Sequence, residues 1–427
     1  MYKLKSFVLK EKKENYYTYA MMWNMIGSLS YAVSTPLLLI VITRLMGNDL
    51  AGIFSIAFSV SQLLLIVGNF EIRPLQSIDI KRKHSFYEYF SFRIITVIVM
   101  IACGLIYCII ESGSFIKKII VVFLIIYRVS DCIGDVVEGE FQQRNQIYIS
   151  GKLLFLRTLF PNIGMIIVAA WGLEIIEATA VFTLISVIIM IWEVNIIGVK
   201  KDIFRKIIHF NYKNIFIEAA PVFLISFFQV FVTNLPKYYI DIIIRDYSVQ
   251  LIYSVLFMPV LVVNLVSGFI FKPYLVKITD NYSKNMSEFK KEVLGFTIFI
   301  IGVGIICTVG MSILGVPILE ALYGKMELGL YKMELFFLMF GGCWSAVCTF
   351  LYHIVIIIDE RKKMLVSYGC VAVVASVFDY FLIVKKGLYG SSIAYLGTFL
   401  LLAVFLFFII GYKILRSSYQ EIKNSSR

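Results

Sequence analysis

Apolar residues run through this chain in twelve long stretches set apart by short polar ones. The stretches fall at 17–45, 51–70, 92–111, 118–138, 153–173, 178–199, 214–235, 249–271, 293–314, 334–358, 364–384 and 393–415. Each is about the length of a membrane-crossing helix, which needs roughly 20 apolar residues because hydrocarbon offers no water to satisfy backbone polar groups. The second six stretches echo the first six. Ile53-Phe54-Ser55-Ile56-Ala57-Phe58 is answered by Ile252-Tyr253-Ser254-Val255-Leu256-Phe257, and Arg73-Pro74 with Asp79 by Lys272-Pro273 with Asp280. Six is an even number, so both halves enter the membrane in the same sense and an axis along the membrane normal should relate them. The pattern therefore predicts an all-α polytopic membrane protein of 12 transmembrane helices in two pseudo-symmetric six-helix lobes. Its divisions are a cytoplasmic amino-terminal segment (1–16), a first lobe (17–199), a basic amphipathic inter-lobe linker (200–213), a second lobe (214–415) and a cytoplasmic tail (416–427).

Composition changes the picture in one respect. With 60% hydrophobic and 16% charged residues, the chain lies far from soluble domains, where charged residues make up about a quarter. The formal charge of +12 would point to nucleic acid in a soluble protein, but here the basic residues sit in alternate loops. Of the lysines and arginines, 28 fall on the side of the two termini and 9 on the other. By the positive-inside rule that asymmetry places both termini in the cytoplasm and assigns the charge to orientation, with no nucleic-acid partner. The linker alternates Lys200, Lys201, Arg205 and Lys206 with Ile203, Phe204, Ile207, Ile208 and Phe210, which suits a segment lying on anionic lipid. The seven cysteines all fall in apolar stretches without C-x-x-C spacing; they read as packing residues, and no metal, disulfide or cofactor is implied.

The fourth stretch carries the most unusual chemistry. Arg128, Asp131, Asp135, Glu138 and Gln142 recur at steps of 3, 4, 3 and 4, which puts them on one helix face. Charges at membrane depth are costly and are normally paired or face a wet cavity. Arg93 and Arg157 approach from the same side, so three arginines meet three carboxylates. Two readings stand: an ion network that locks helices three, four and five together, or a site that holds an anionic head group or relays protons through Asp131, Asp135 and Glu138. Cavity candidates also come from Asn24 on the first helix and from Gln229 and Asn234 on the seventh. Arg44 and Lys237, the latter just past the seventh helix, are placed at the outer mouth, as anion contacts or as interfacial residues. His353 is the one histidine within a stretch, either a proton carrier or a hydrogen-bonded packing residue. Asp379, near the outer end of the eleventh stretch, reads as interfacial. The chain has no G-x-x-x-x-G-K-[ST], H-E-x-x-H or G-x-S-x-G motif, so nothing suggests a phosphate-binding loop or a hydrolytic site, and the reading is not an enzyme.

The stretch Thr43-Arg44-Leu45-Met46-Gly47-Asn48-Asp49-Leu50-Ala51-Gly52-Ile53-Phe54 resembles the R-x-L-G-x-x-x-x-G-x-[FY] pattern of polysaccharide flippases in the multidrug/oligosaccharidyl-lipid/polysaccharide (MOP) exporter superfamily, with Met46 where the pattern has leucine. Leu322-Tyr323-Gly324-Lys325 looks like its second-lobe counterpart. Arg73-Pro74-Leu75-Gln76-Ser77-Ile78-Asp79 and Gly139-Glu140-Phe141-Gln142-Gln143-Arg144 are similar to a subgroup from cell-surface polysaccharide clusters. The resemblance covers 17–415. It implies a V-shaped two-lobed fold, a bacterial plasma membrane location and a polyprenyl-pyrophosphate-linked oligosaccharide as substrate. The partners it implies are membrane lipids, the polysaccharide polymerase and the chain-length machinery. A cation-coupled exporter of small amphipathic drugs is the alternative on the same fold, and a membrane glycosyl polymerase or acyltransferase is the alternative from another class.

Overall fold

The computed structural model describes residues 2–10, 15–79, 82–111, 113–197, 212–324 and 326–425. Among the described residues every regular element is a helix. Chain contacts divide it into two compact units, Met1–Phe227 and Phe228–Arg427.

The first unit holds α1 (Tyr2–Leu9), α2 (Tyr16–Met46), α3 (Asn48–Asn69), α4 (Ile72–Ile78), α5 (Phe86–Ile110), α6 (Phe115–Gln143), α7 (Ile147–Ala170) and α8 (Ile175–Ile197), together with the start of α9 (Lys213–Tyr239). The second unit continues α9 through a π-helical turn (Ile240–Ile244) and then holds α10 (Tyr247–Phe271), α11 (Leu275–Lys284), α12 (Met286–Tyr323), α13 (Lys332–Ile357) and α14 (Arg361–Ser425). α14 breaks at Gly387, whose φ of 56° and ψ of −131° are not helical. Among the described residues ten helices are long and apolar enough to cross a membrane, and α6 is not one of them. Its charged stripe is the reason. With α6 and both halves of α14 counted, the described elements give the twelve predicted spans. The predicted linker lies outside the described residues except for its last two positions, Tyr212 and Lys213, the latter opening α9.

The helices start earlier than apolar patterning alone suggests, because polar caps hide their first turns. α5 begins at Phe86 rather than near 92: Ser85 Oγ accepts from the Glu88 amide while the Glu88 carboxylate accepts from the Ser85 amide at 2.6 Å, a reciprocal cap that satisfies two otherwise orphaned donors. Just before it, Asp79 accepts from the amides of Lys83 (2.8 Å) and His84 (2.9 Å) and from the Tyr89 hydroxyl (3.0 Å). Burial pushes the Asp79 pKa up, but these donors outweigh it and hold the carboxyl below its ordinary value. The echoed Arg73-Pro74 and Lys272-Pro273 pairs both belong to short helical turns that follow a long helix, α4 in the first unit and a 3-10 turn leading into α11 in the second.

α2 and α7 cross at the closest approach their backbones allow. A Cβ on Gly27 would lie 2.5 Å from the Gly151 carbonyl oxygen, and one on Gly151 would overlap the backbone of Trp23. Replacing Gly151 with leucine should therefore force the helices apart and lower thermal stability in detergent by at least the ~1–3 kcal/mol typical of overpacking. Gly302→Ala, at a glycine with nothing within 4 Å, should leave the unfolding temperature unchanged or slightly raised.

Candidate functional site

Seven charged side chains in the first unit form a continuous line of alternating sign. Arg93 Nη2 meets Asp135 at 2.6 Å, and Asp135 in turn meets Arg73 Nη1 at 3.1 Å. The same Arg73 nitrogen reaches Glu138 at 2.9 Å, and Glu138 meets Arg157 Nη2 at 2.6 Å. Arg157 Nε lies 3.6 Å from Asp131, which pairs with Arg128 Nη1 at 2.7 Å. Glu193 branches off at Arg157 Nη1, 2.9 Å away. Four arginines thus face four carboxylates, and the formal charge of the set is zero.

Local structure explains how five helices deliver these groups. The 3-4-3-4 spacing on α6 lines up Arg128, Asp131, Asp135 and Glu138 as the sequence predicts. Gly134 on the same helix leaves room for Arg157 to cross from α7, since a Cβ there would overlap its guanidinium. Arg73 arrives from α4, which turns back after α3 through two consecutive residues in the left-handed region, Phe70 (φ 45°) and Glu71 (φ 51°). Non-glycine residues rarely adopt that conformation, and it persists only where the surroundings enforce it. Phe70 stacks on Phe223 with ring centres 4.3 Å apart. Arg93 also donates to the Gly68 carbonyl and the Asn69 side chain, both at 2.9 Å. Arg128 donates to Ser61 at 3.1 Å and Tyr31 at 3.2 Å, with Phe58 and Tyr127 rings over its guanidinium.

Burial is uneven along the line. Arg93, Arg128, Arg157, Asp131, Glu138 and Glu193 are buried. Arg73 is 28% exposed and Asp135 17%, so the network has one edge that reaches solvent. Arg73 donates to both carboxylates through one nitrogen.

The structure brings together Arg93 and five of the predicted site residues, Arg128, Asp131, Asp135, Glu138 and Arg157, and adds Arg73, Glu193 and Tyr31. Glu193 was signalled by a single acid in the second half of the apolar sixth stretch, and Arg73 by its place in the repeat. Asn24 and Arg44 lie elsewhere on α2, both exposed. Gln229, Asn234, Lys237 and His353 belong to the second unit. Gln229 is half-buried. Asn234 is buried and donates to the Val230 carbonyl at 3.1 Å. Lys237 does not follow its helix as predicted. α9 runs on through the π turn to Ile244, so Lys237 is buried within it, 4.9 Å from the Phe257 ring centre. His353 packs against the Phe271 and Tyr352 rings.

Asp379 departs from its interfacial reading. It is completely buried beside Thr398, the one hydroxyl within its hydrogen-bonding reach among the described residues, and no cation pairs with it there. Tyr253 and Tyr239 lie within its electrostatic reach. Gln250 on α10 is also fully buried with both ends of its amide unbonded. The helix continues past the predicted end at 384 to Gly387, which sets Asp379 two turns inside it.

Replacing Arg157 with methionine would leave Glu138 and Glu193 facing one another without their shared cation. The expected loss is about 3–5 kcal/mol, the range for breaking a buried pair from one side; adding Glu193→Gln should recover part of it. Arg73→Met, at the solvent-reaching edge, should cost less. Thermal unfolding in detergent reads all three, and an Arg157→Met protein as stable as the parent would remove the network as a brace.

No family model matches the sequence, and no curated protein matches it. Solved structures do match in fold. An inward-facing multidrug resistance MATE family transporter of the MOP superfamily superposes with a TM-score of 0.65 at 12% identity, covering 93% of this chain and 98% of its own. The lipid II flippase MurJ in an inward closed conformation gives 0.65 at 13% identity, covering 93% and 91%. A point mutant of the Vibrio cholerae MATE transporter VcmN gives 0.60 at 11%, covering 97% and 98%. At these identities the likeness concerns architecture alone: this chain has the all-α polytopic fold of the MOP superfamily transporters.

Proposed function

We propose that the chain is a flippase that moves polyprenyl-pyrophosphate-linked oligosaccharide repeat units from the cytoplasmic to the outer leaflet for cell-surface polysaccharide biosynthesis, by alternating access between two lobes. The observation that carries this reading is the arginine network on spanning helices with a solvent-reaching edge at Arg73 and Asp135. A pyrophosphate crossing a membrane needs cations that a bilayer otherwise excludes, and guanidinium binds phosphate oxygens through paired donors. Arg73 uses one nitrogen for two carboxylates, so a phosphate taking its fork would compete with Asp135 and Glu138. Arg44, exposed in the last turn of α2, stands at the opposite end of the path.

The drug-exporter alternative has less support, because α2 carries no Asp or Glu over its 31 residues. In the second unit Asp379 is the group suited to energy coupling. A buried carboxyl with no cationic partner is stable only when neutralised, by a proton or a small cation. The basic asymmetry supports a bacterial plasma membrane protein with both termini cytoplasmic, working beside the polymerase and chain-length machinery.

Vesicles holding the purified protein and a labelled lipid-linked sugar test the reading: the sugar should change sides with its covalent structure intact. Efflux of cationic dyes without sugar movement would favour the exporter, and a changed glycan an enzyme. Asp379→Asn should abolish gradient-driven movement while leaving downhill exchange and protein abundance near the parent level. Equal loss of both modes would place Asp379 in packing rather than coupling.

A further inference from the structure

Lys152 counts in the sequence as one of the loop charges that set topology, yet in the structure it is completely buried. Its ammonium donates to the carbonyls of Phe7 at 2.9 Å, Val8 at 3.4 Å and Lys10 at 3.1 Å. These are carbonyls at the carboxyl end of α1, which no intrahelical partner satisfies and toward which the helix dipole draws a cation. Four rings surround the same ammonium: Phe7 at 5.0 Å, Tyr19 and Tyr148 at 5.1 Å and Trp23 at 5.5 Å. Three donors therefore meet three carbonyl acceptors inside an aromatic cage closed by Phe7 of α1 and floored by Tyr19 and Trp23 of α2 and Tyr148 of α7, helices whose crossing is fixed at Gly27 and Gly151.

What α1 covers gives the contact its meaning. Val8 is fully buried in a cluster with Val137, Leu153, Leu156 and Trp192. Three of these adjoin network residues in sequence: Val137 precedes Glu138, Leu156 precedes Arg157 and Trp192 precedes Glu193. The amino-terminal helix thus packs on the apolar cluster that flanks the Glu138, Arg157 and Glu193 positions of α6, α7 and α8. It is also weakly self-supporting. Eight residues are too few for a helix to persist alone in water, and Phe7 and Leu9 are left exposed. When α1 leaves, water can replace its carbonyls on the Lys152 ammonium, so the undocked state does not strand the charge.

We propose that α1 is a detachable seal, latched by Lys152, whose docking excludes water from the Glu138–Arg157–Glu193 end of the network. Docked, it keeps those pairs in a low-dielectric setting where they brace α6, α7 and α8 firmly; undocked, water weakens them and frees the helices to move.

The test uses the full-length protein in detergent, with its seven native cysteines replaced and Val137→Cys as reporter. Modification by a water-soluble thiol reagent should run about tenfold or more faster once residues 2–10 are deleted, as for a site exposed only by local opening. Lys152→Gln should approach the deleted form, and Lys152→Arg should stay near the parent. Equal rates in parent and deletion, or a slow Lys152→Gln, would overturn the proposal. Should either variant misfold, hydrogen exchange on the parent decides. α1 amides should be protected, but far less than those around Arg157; protection equal to that core, or none, would be fatal. No substrate enters these measurements, so the seal and the flippase reading fail separately.

Discussion

The first unit is organised around one requirement: four guanidinium groups held at helix-packing depth must each find an anion. A buried charge left alone is expensive, and a buried pair repays its desolvation only when geometry is good and remaining donors are satisfied. Here the requirement is met by sharing. Arg157 lies against three carboxylates carried by α6 and α8, and Asp135, Glu138 and Asp131 each lie between two arginines. Much else follows. Gly134 has no side chain so that Arg157 can cross, α4 folds back through a strained joint so that Arg73 can arrive, and α6 forfeits the apolar character of its neighbours.

The second unit solves a different problem with the same helix plan. It buries few formal charges, and its notable groups are polar: Asp379 beside Thr398, and Gln250 and the Tyr253 hydroxyl, which make no hydrogen bond. Opposite charges hold the first unit's buried groups to one another, whereas unmet polar groups in a dry setting favour any small polar species that satisfies them. The repeat seen in the sequence is thus one of backbone, with chemistry diverging between its copies. Arg73 is paired with carboxylates while its counterpart Lys272 is exposed.

Much of the fold could be read from periodicity, because a spanning helix is specified by a run of apolar residues whatever its neighbours are. The α6 stripe was equally readable, since all its members sit on one helix and spacing fixes their face. Its partners were harder. Glu193 and Arg73 come from other helices, and nothing local to them reports that α8 and α4 pack there. Lys237 and Asp379 were misplaced for a related reason. Apolar patterning ends where polarity begins, but α9 and α14 run on past those points. Lys152 was counted as a loop charge because its acceptors are backbone carbonyls, which leave no mark in sequence.

Network and seal set opposite demands on one set of helices. An alternating line of charges is rigid while dry, so a lobe built on it moves as a body, which suits rocking motion between two states. Rigidity of that kind also resists the anion exchange that an arginine site needs. The edge at Arg73 and Asp135 is partly exposed and holds its arginine through a single nitrogen. The apolar cluster flanking Arg157 and Glu193 is covered by Val8 of α1. Chemistry at the open edge can then be exchanged without dissolving the brace behind it, and the strength of that brace depends on eight residues at the amino terminus and one lysine that holds them.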